Sequence, residues 1–326
     1  MSSEQAVVLA DPEHERQRYV GGSDIAGILN ISPWQTPTTV YLKKTEPQDE
    51  NPPTAKRKLF KRGHRWESVV SEMLVEDLES QGLKVEVLGA NRRYIDPQIP
   101  YFAAEVDFEL RIDGIPDIVN AELKTVSPYA TKYWGESGSE EIPLYYRAQG
   151  AWGLGVTGRN VCILAPLFGA DEIRTYLIPR DEETIAGMRS VAQNFWQNHV
   201  LKKRPPDPLN LDDVNKLFKT ETKDKQLQAD TVILEHLLRY RSLDTQITAM
   251  EAQRDEIEFQ LKKAMVDSEV IMVGDKKAVS WKAQPRSWLD QSALREEEPK
   301  IHKQYMRKGS SRVFKTYLFN STKEIE

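Results

Sequence analysis

Apolar positions in the first part of the chain recur at helical spacing, with polar punctuation between the runs. In Gly21-Gly22-Ser23-Asp24-Ile25-Ala26-Gly27-Ile28-Leu29, a small polar pair follows two glycines and precedes Ile25, Ile28 and Leu29. That order predicts a helix start with Ser23 or Asp24 as N-cap. Ser32-Pro33-Trp34 closes this helix, and Thr36-Pro37 opens another that carries Val40, Tyr41 and Leu42. Residues 44–57 are polar, contain Pro52-Pro53 and read as a loop. From Gly63 the helical period resumes through Trp66, Val69, Val70, Met73 and Leu74.

The period then changes to two. Residues 84–94 and 100–112 read as strands, and in the second Val106, Phe108, Leu110 and Ile112 alternate with Asp107, Glu109, Arg111 and Asp113. Asp113-Gly114 signals a turn, and further strands are predicted at 118–125, 160–167 and 172–178. Helices are predicted at 142–156 and at 181–200. The run from Lys202 to Pro208, with Pro205, Pro206 and Pro208, cannot continue a helix and reads as a domain boundary. Beyond it, residues 225–266 form one long seam (Ile233, Leu237, Tyr240, Leu243, Ile247, Met250, Ile257, Leu261, Met265), broken at Arg254. Such a seam predicts helix-on-helix packing or a short coiled coil. A hairpin follows, Val270–Val273 and Ala278–Lys282 around Gly274-Asp275. The expected division is 1–204, a linker at 205–224, and 225–326.

Composition narrows the classes. At about 150 residues per domain, two domains are expected for this length. With 45 Lys+Arg against 50 Asp+Glu, the net charge is −5. A nucleic-acid partner must therefore meet a local basic patch. No apolar run approaches the ~18 residues of a membrane span, and residues 1–15 lack the basic region of a signal peptide. The single Cys162 and five scattered His residues exclude a disulfide framework and a zinc spacing. The chain reads as soluble and cytoplasmic.

The strongest chemical pattern is Asp107 followed by Glu122-Leu123-Lys124. Side chains i and i+2 of a strand share a face, so Glu122 and Lys124 point together. A hairpin turning near Asp113-Gly114 brings Asp107 alongside Glu122. Two carboxylates and a lysine at one point suit Mg²⁺ or Mn²⁺ and metal-assisted attack of water on a phosphodiester. Taken alone, the short pattern also fits a surface salt bridge on an exposed sheet.

Its surroundings are more specific. Arg16, Gly21-Gly22-Ser23-Asp24-Ile25, Ile31-Ser32-Pro33-Trp34 with Thr36-Pro37, and Gly63-His64-Arg65-Trp66-Glu67 precede Asp107 and Glu122-Leu123-Lys124-Thr125. Ile142-Pro143-Leu144-Tyr145-Tyr146-Arg147-Ala148-Gln149 and Gly155-Val156-Thr157-Gly158 come after. In this order they resemble the YqaJ family of phage-type recombination exonucleases, within the PD-(D/E)xK nuclease superfamily that includes lambda exonuclease. The resemblance implies an α/β, restriction-endonuclease-like core over residues 1–204: a mixed central sheet flanked by helices, followed by a long helix and β-hairpin extension. It implies Asp107 and Glu122 as metal ligands with the Leu123 carbonyl, Lys124 as catalytic lysine and Glu67 as an additional carboxylate. Gln149 would support the site with Tyr146 beside it, while Arg16 and Ser23 would hold a DNA phosphate. The cofactor would be one or two Mg²⁺ or Mn²⁺ ions. The activity implied is 5′-to-3′ degradation of linear duplex DNA, exposing a 3′ strand for a RecT-type annealing protein. The C-terminal module would serve oligomerisation, the DNA path or partner docking.

One departure is Val106, where the superfamily's name would put proline. Pro116-Asp117 does supply that pair, but Asp117 precedes Glu122 by an odd interval and would face away from it on one strand, so Asp107 is preferred. Other readings stay open. One is a non-catalytic DNA-end-binding or recombination-assembly protein on the same scaffold; another is a structure-selective endonuclease. His64 fits a metal contact or a solvated helix residue. The basic run Lys56, Arg57, Lys58, Lys61, Arg62 and Arg65 fits a DNA track or a solvated loop. Arg307, Lys308, Arg312 and Lys315 give a second basic stretch. Trp34, Trp134 and Trp152 fit base stacking, with at least two of them expected in the core.

Overall fold

A computed structural model describes residues 7–9, 15–47, 54–307, 309 and 311–317, with backbone alone at 7–9, 15 and 54–64. The side chains of His64 and of the basic run from Lys56 to Arg62 lie outside the described residues, as does Lys308. The chain divides into two units between Phe218 and Lys219.

The first unit is a mixed sheet between helices. Its elements are β1 (Val7–Leu9), α1 (Gly22–Ile28), α2 (Pro37–Thr45), α3 (Thr54–Ser80), β2 (Val85–Ile95), β3 (Ala103–Ile112), β4 (Val119–Val126), α4 (Leu144–Thr157), β5 (Val161–Phe168), β6 (Glu172–Ile173), β7 (Tyr176–Pro179), α5 (Glu182–Phe195) and α6 (Leu211–Leu217). The strand order is β1-β2-β3-β4-β5-β6, with β7 also on β5. Among the described strands only β4 and β5 pair in parallel, and α4 makes the crossover that a parallel pair requires.

One sheet face packs on α3 through Val70, Leu74 and Leu78 against Phe108, Leu110, Val119, Leu123 and Ile163. The other packs on α1, α2, α4 and α5 around Phe102, Trp152, Leu154 and Tyr176. Because β4 is covered on both sides, Val119–Leu123 is buried at every position, Asn120 and Glu122 included. Trp152 donates its indole N–H to the Ala103 carbonyl at 2.9 Å, tying α4 to β3. Trp134 and Trp152 are core residues, and Trp34 is exposed.

The architecture agrees with the expected fold class, and several local expectations are corrected. The N-cap of α1 is Gly21, not Ser23 or Asp24; the Asp24 carboxylate instead accepts the Gly21 N–H at 2.9 Å. Helix α3 begins at Thr54 and runs through Gly63, so the expected loop ends earlier. The predicted strand 172–178 is two pieces, because Arg174 turns inward to the Gly135 carbonyl and stacks over Phe168. The stretch 205–224 is no plain linker: Asn210 caps α6, and buried Asp213 accepts from Thr36 Oγ1 at 2.6 Å and from the Leu209 N–H at 3.0 Å.

The second unit contains α7 (Thr231–Met265), a hairpin of β8 (Val270–Val273) and β9 (Lys276–Ser280), and short helices α8 (Gln291–Glu297) and α9 (Pro299–Tyr305). Helix α7 starts at an Asp230 cap. Leu237, Tyr240, Leu243, Ile247, Met250, Ile257 and Leu261 of its seam are exposed, and Met265 is buried. Phe314 meets Tyr240 edge-on at 5.7 Å, and Lys262 lies over Trp281.

Candidate active site

Strands β3 and β4 pair at Leu110–Val119, Glu109–Asn120 and Phe108–Ala121. One step outward in that register Asp107 faces Glu122, and there the backbone ladder has already ended. In place of a strand partner, the Leu123 N–H donates to Asp107 Oδ2 at 2.9 Å. The parting of the strands opens a pocket lined by Asp107, Glu122, Lys124, Gln149, Glu105, Arg16, Tyr19 and residues 21–24.

Lys124 Nζ and Gln149 Nε2 both donate to Glu122 Oε1. The i, i+2 relation on β4 gives Glu122 and Lys124 one face, and α4 presents Gln149 to the same oxygen. That approach depends on Gly22: a Cβ there would stand 3.2 Å from the Gln149 Cγ. Tyr146, one turn before Gln149, has its ring 5.8 Å from Lys124 Nζ. Glu67 of α3 lines an adjoining depression with Leu123, Lys124 and Thr125, and its charge is felt at Asp107.

The electrostatics are uneven. Burial, then the Glu122 charge, push the Asp107 carboxyl up to about 7 against the pull of Lys124 and the Leu123 N–H, and Glu67 adds to the rise. Burial alone would lower the Lys124 ammonium, but Glu122 and Asp107 outweigh it and hold the group above the ordinary lysine range. Lys124 is therefore a proton-bearing donor at neutral pH.

The structure thus joins Glu122, Lys124 and Gln149 by hydrogen bonds and places Asp107 in the same pocket through the Leu123 N–H, with Tyr146 by the lysine and Glu67 beside the strand. Arg16 and Ser23 line the same pocket, and Leu123 supplies its N–H while burying its side chain against α3. Asp117 is elsewhere: it lies exposed in the turn between β3 and β4 and accepts from Asn160. Sequence reasoning missed Glu105, which holds Arg16, Tyr19 and Arg93. The same period of two that pairs Glu122 with Lys124 puts Glu105 and Asp107 on one face. Asp24 was also missed as a buried anion; Lys44 Nζ pairs with it at 2.6 Å.

Residues 13–160 match the family described as the YqaJ-like viral recombinase domain. A curated relative, the uncharacterized protein YqaJ of Bacillus subtilis (strain 168), is 27% identical over 96% of this chain and 98% of its own length. Among solved structures, an alkaline exonuclease (LHK-Exo) from Laribacter hongkongensis is 18% identical with a TM-score of 0.42, over 58% of this chain and 91% of that one. The same exonuclease in complex with dAMP gives 16% identity and a TM-score of 0.43 over the same shares. The family resemblance carried by the motifs is borne out by the family match and the relative.

Proposed function

From the match of residues 13–160 to the YqaJ-like viral recombinase domain, we propose that this chain is a metal-dependent deoxyribonuclease acting on linear duplex DNA in recombination. The observation that supports this most is the meeting of Asp107, Glu122 and Lys124 where β3 and β4 part. Among the described residues no three His, Cys, Asp or Glu groups form a ready-made metal cluster. The donor set still fits a hard divalent cation. Asp107 Oδ2 and Glu122 Oε1 accept hydrogen bonds, whereas none among the described residues reaches Asp107 Oδ1 or Glu122 Oε2. The Glu122 charge also lies close enough to oppose ionisation of Asp107.

Asp107 and Glu122 would hold Mg²⁺ or Mn²⁺, with the Leu123 carbonyl and Glu67 completing the shell. When bound, the ion supplies Lewis acidity toward a phosphoryl oxygen and lowers the pKa of a water. Lys124, kept protonated, donates to and orients the attacking oxygen and offsets charge gathering at phosphorus. Gln149 fixes the Glu122 rotamer, and Tyr146 limits where the lysine can swing. The product polarity in this reading is 5′-to-3′ resection, leaving a 3′ strand for a RecT-type annealing protein.

The test is digestion of labelled linear duplex in Mg²⁺ and in Mn²⁺ by wild type and Lys124→Ala, with closed circular duplex alongside. Loss of linear substrate with wild type alone, circles remaining intact, is expected. Equal inactivity of both proteins, with DNA still bound, would overturn the reading in favour of an end-binding protein. Cut circles would point to an endonuclease.

A further inference from the structure

Trp34 lies outside the hydrolytic set, on the bend between α1 and α2, and is 66% exposed. An indole that serves packing alone is ordinarily buried, as Trp134 and Trp152 are here. The neighbours of Trp34 are aromatic and come from a distant stretch of chain. Tyr145, at the start of α4, meets it in a T-shaped contact at 4.9 Å, and Tyr146 follows at 6.5 Å. The two tyrosine rings are 4.5 Å apart. Tyr133 is as exposed as Trp34 and stands near Tyr145: burial first, then the Tyr133 charge, raise the Tyr145 hydroxyl above its ordinary range. Lys132 Nζ lies 5.1 Å from the Tyr133 ring centroid.

This run of rings reaches the candidate active site. Buried Trp134 backs Tyr146 at 5.3 Å, and the Tyr146 ring is 5.8 Å from Lys124 Nζ. One ring therefore separates Trp34 from the lysine. A stacked DNA strand advances about 3.4 Å per nucleotide, so a strand whose phosphate reaches Lys124 has bases within reach of these rings a few nucleotides away.

The chemistry selects the ligand. Inside a duplex both faces of a base are already stacked, and only an unpaired base has a face to give. Aromatic side chains take such bases with little regard to sequence, at about 1–3 kcal/mol per base. The phenol hydroxyls and Lys132 supply donors for the sugar-phosphate backbone between bases. Continuity with the pocket favours DNA over a protein partner, because a protein seated on Trp34 would crowd the strand that Lys124 must reach.

We propose that Trp34, Tyr145 and Tyr133 form a stacking platform for unpaired nucleobases beside the hydrolytic site, so that a single-stranded segment of the substrate is held by its bases. The proposal rests on the nuclease reading, from which it takes that DNA reaches Lys124.

The experiment measures binding of a short, labelled single-stranded oligonucleotide and of an abasic oligonucleotide of the same length to the full chain. Fluorescence anisotropy in EDTA at one fixed salt concentration reads both, and the two ligands carry the same phosphates. Wild type is expected to bind the base-bearing strand about tenfold more tightly. Trp34→Ala should bring that ratio to within about twofold of one while leaving abasic binding unchanged. Trp34→Phe should recover most of the ratio, and Tyr133→Ala should lower it by about threefold. A wild-type ratio near one, or a folded Trp34→Ala with an unchanged ratio, overturns the platform and leaves the exposed rings to a protein contact. If Trp34→Ala does not fold, Tyr133→Ala decides. Digestion of linear duplex in Mg²⁺ and Mn²⁺ runs alongside. Base-dependent binding without cutting would overturn the nuclease reading and support the platform; cutting with a ratio of one would do the reverse. Absence of DNA binding overturns both.

Discussion

Two carboxylates on one face of β3 meet opposite fates: Glu109 is buried, and Asp107 lines the pocket. Glu109 has a fully buried side chain and is surrounded by donors: Tyr94 Oη, Arg159 Nη2, and Arg92 Nη1 at 2.5 Å. Arg159 continues the network to Asn120 Oδ1 at 2.7 Å. Burial alone would raise the Glu109 carboxyl, but hydrogen bonds from Tyr94 and Arg159 and the two arginine charges hold it below the usual range. Asp107 faces a second carboxylate and has one lysine and one backbone N–H to set against it. Where a buried charge is fully answered, it locks the sheet together. Where it is left partly unanswered, it stores an affinity for something the chain does not supply.

The largest test of this contrast is activity. Asp107→Asn should lower hydrolysis of linear duplex by about 10²–10⁴-fold, as loss of a group acting on the reacting atoms does. Its stability to denaturant should be unchanged or higher, because a like-charge conflict with Glu122 has gone. Loss of both activity and stability would mean that Asp107 is structural in the way Glu109 is.

Next in size, Glu109→Ala should destabilise the first unit by about 3–5 kcal/mol, the cost of leaving a buried partner charge unanswered. Urea denaturation, with a readout confined to this unit such as Trp152 fluorescence, measures it. A change below about 1 kcal/mol would erase the distinction between the two carboxylates.

The two sites should also respond to pH with opposite sign. Glu109 has a depressed carboxyl, so its contribution is present above the unfolded pKa and is lost as pH falls through the lower folded value. Asp107 has a raised carboxyl, so in metal-free protein its contribution is present below the unfolded carboxylate range and is lost as pH rises toward about 7. In EDTA, stability between pH 5 and 7.5 should therefore fall more steeply for wild type than for Asp107→Asn. Saturating Mg²⁺ at pH 7.5 should restore about 2.7 kcal/mol at one hundred times Kd. Identical pH slopes in the two proteins would remove the electrostatic conflict from the account.

The smallest effect sharpens the geometry. Gly22→Ala puts a Cβ 3.2 Å from Gln149 Cγ, which a small rotation of the glutamine relieves at a cost of about 0.5–1.5 kcal/mol. Turnover should drop modestly through the loosened Glu122 while substrate affinity holds. An unchanged turnover number would show that Gln149 does not position Glu122.

How much of this was legible follows the range of the interaction. The alternation in residues 103–112, the turn at Gly114 and the run 119–126 are local patterns, and they placed Asp107 on the same face as Glu122 because a hairpin register follows from its strands and turn. The long helix after the prolines was readable for the same reason. Helix α6 was not, since its anchor is Asp213 reaching Thr36 across 177 positions, and no local period encodes that. The first turns of α3 were hidden because polar residues with no apolar stripe look like loop. The capping of α1 was misplaced by a few residues, because Gly21 takes the extended N-cap conformation while Asp24 reaches back to it.

By itself the sequence determined most of the helices and strands of the first unit and the register of the acidic pair, which arise from contacts within a few residues or one turn. Only the tertiary structure decided which carboxylates are answered. Glu105, Asp107 and Glu109 look alike as alternating acids, and their fates depend on Arg16, Arg93, Arg92, Arg159 and Tyr94, brought in from distant segments. The charge state of a buried group is set by everything that faces it, and what faces it is a property of the fold.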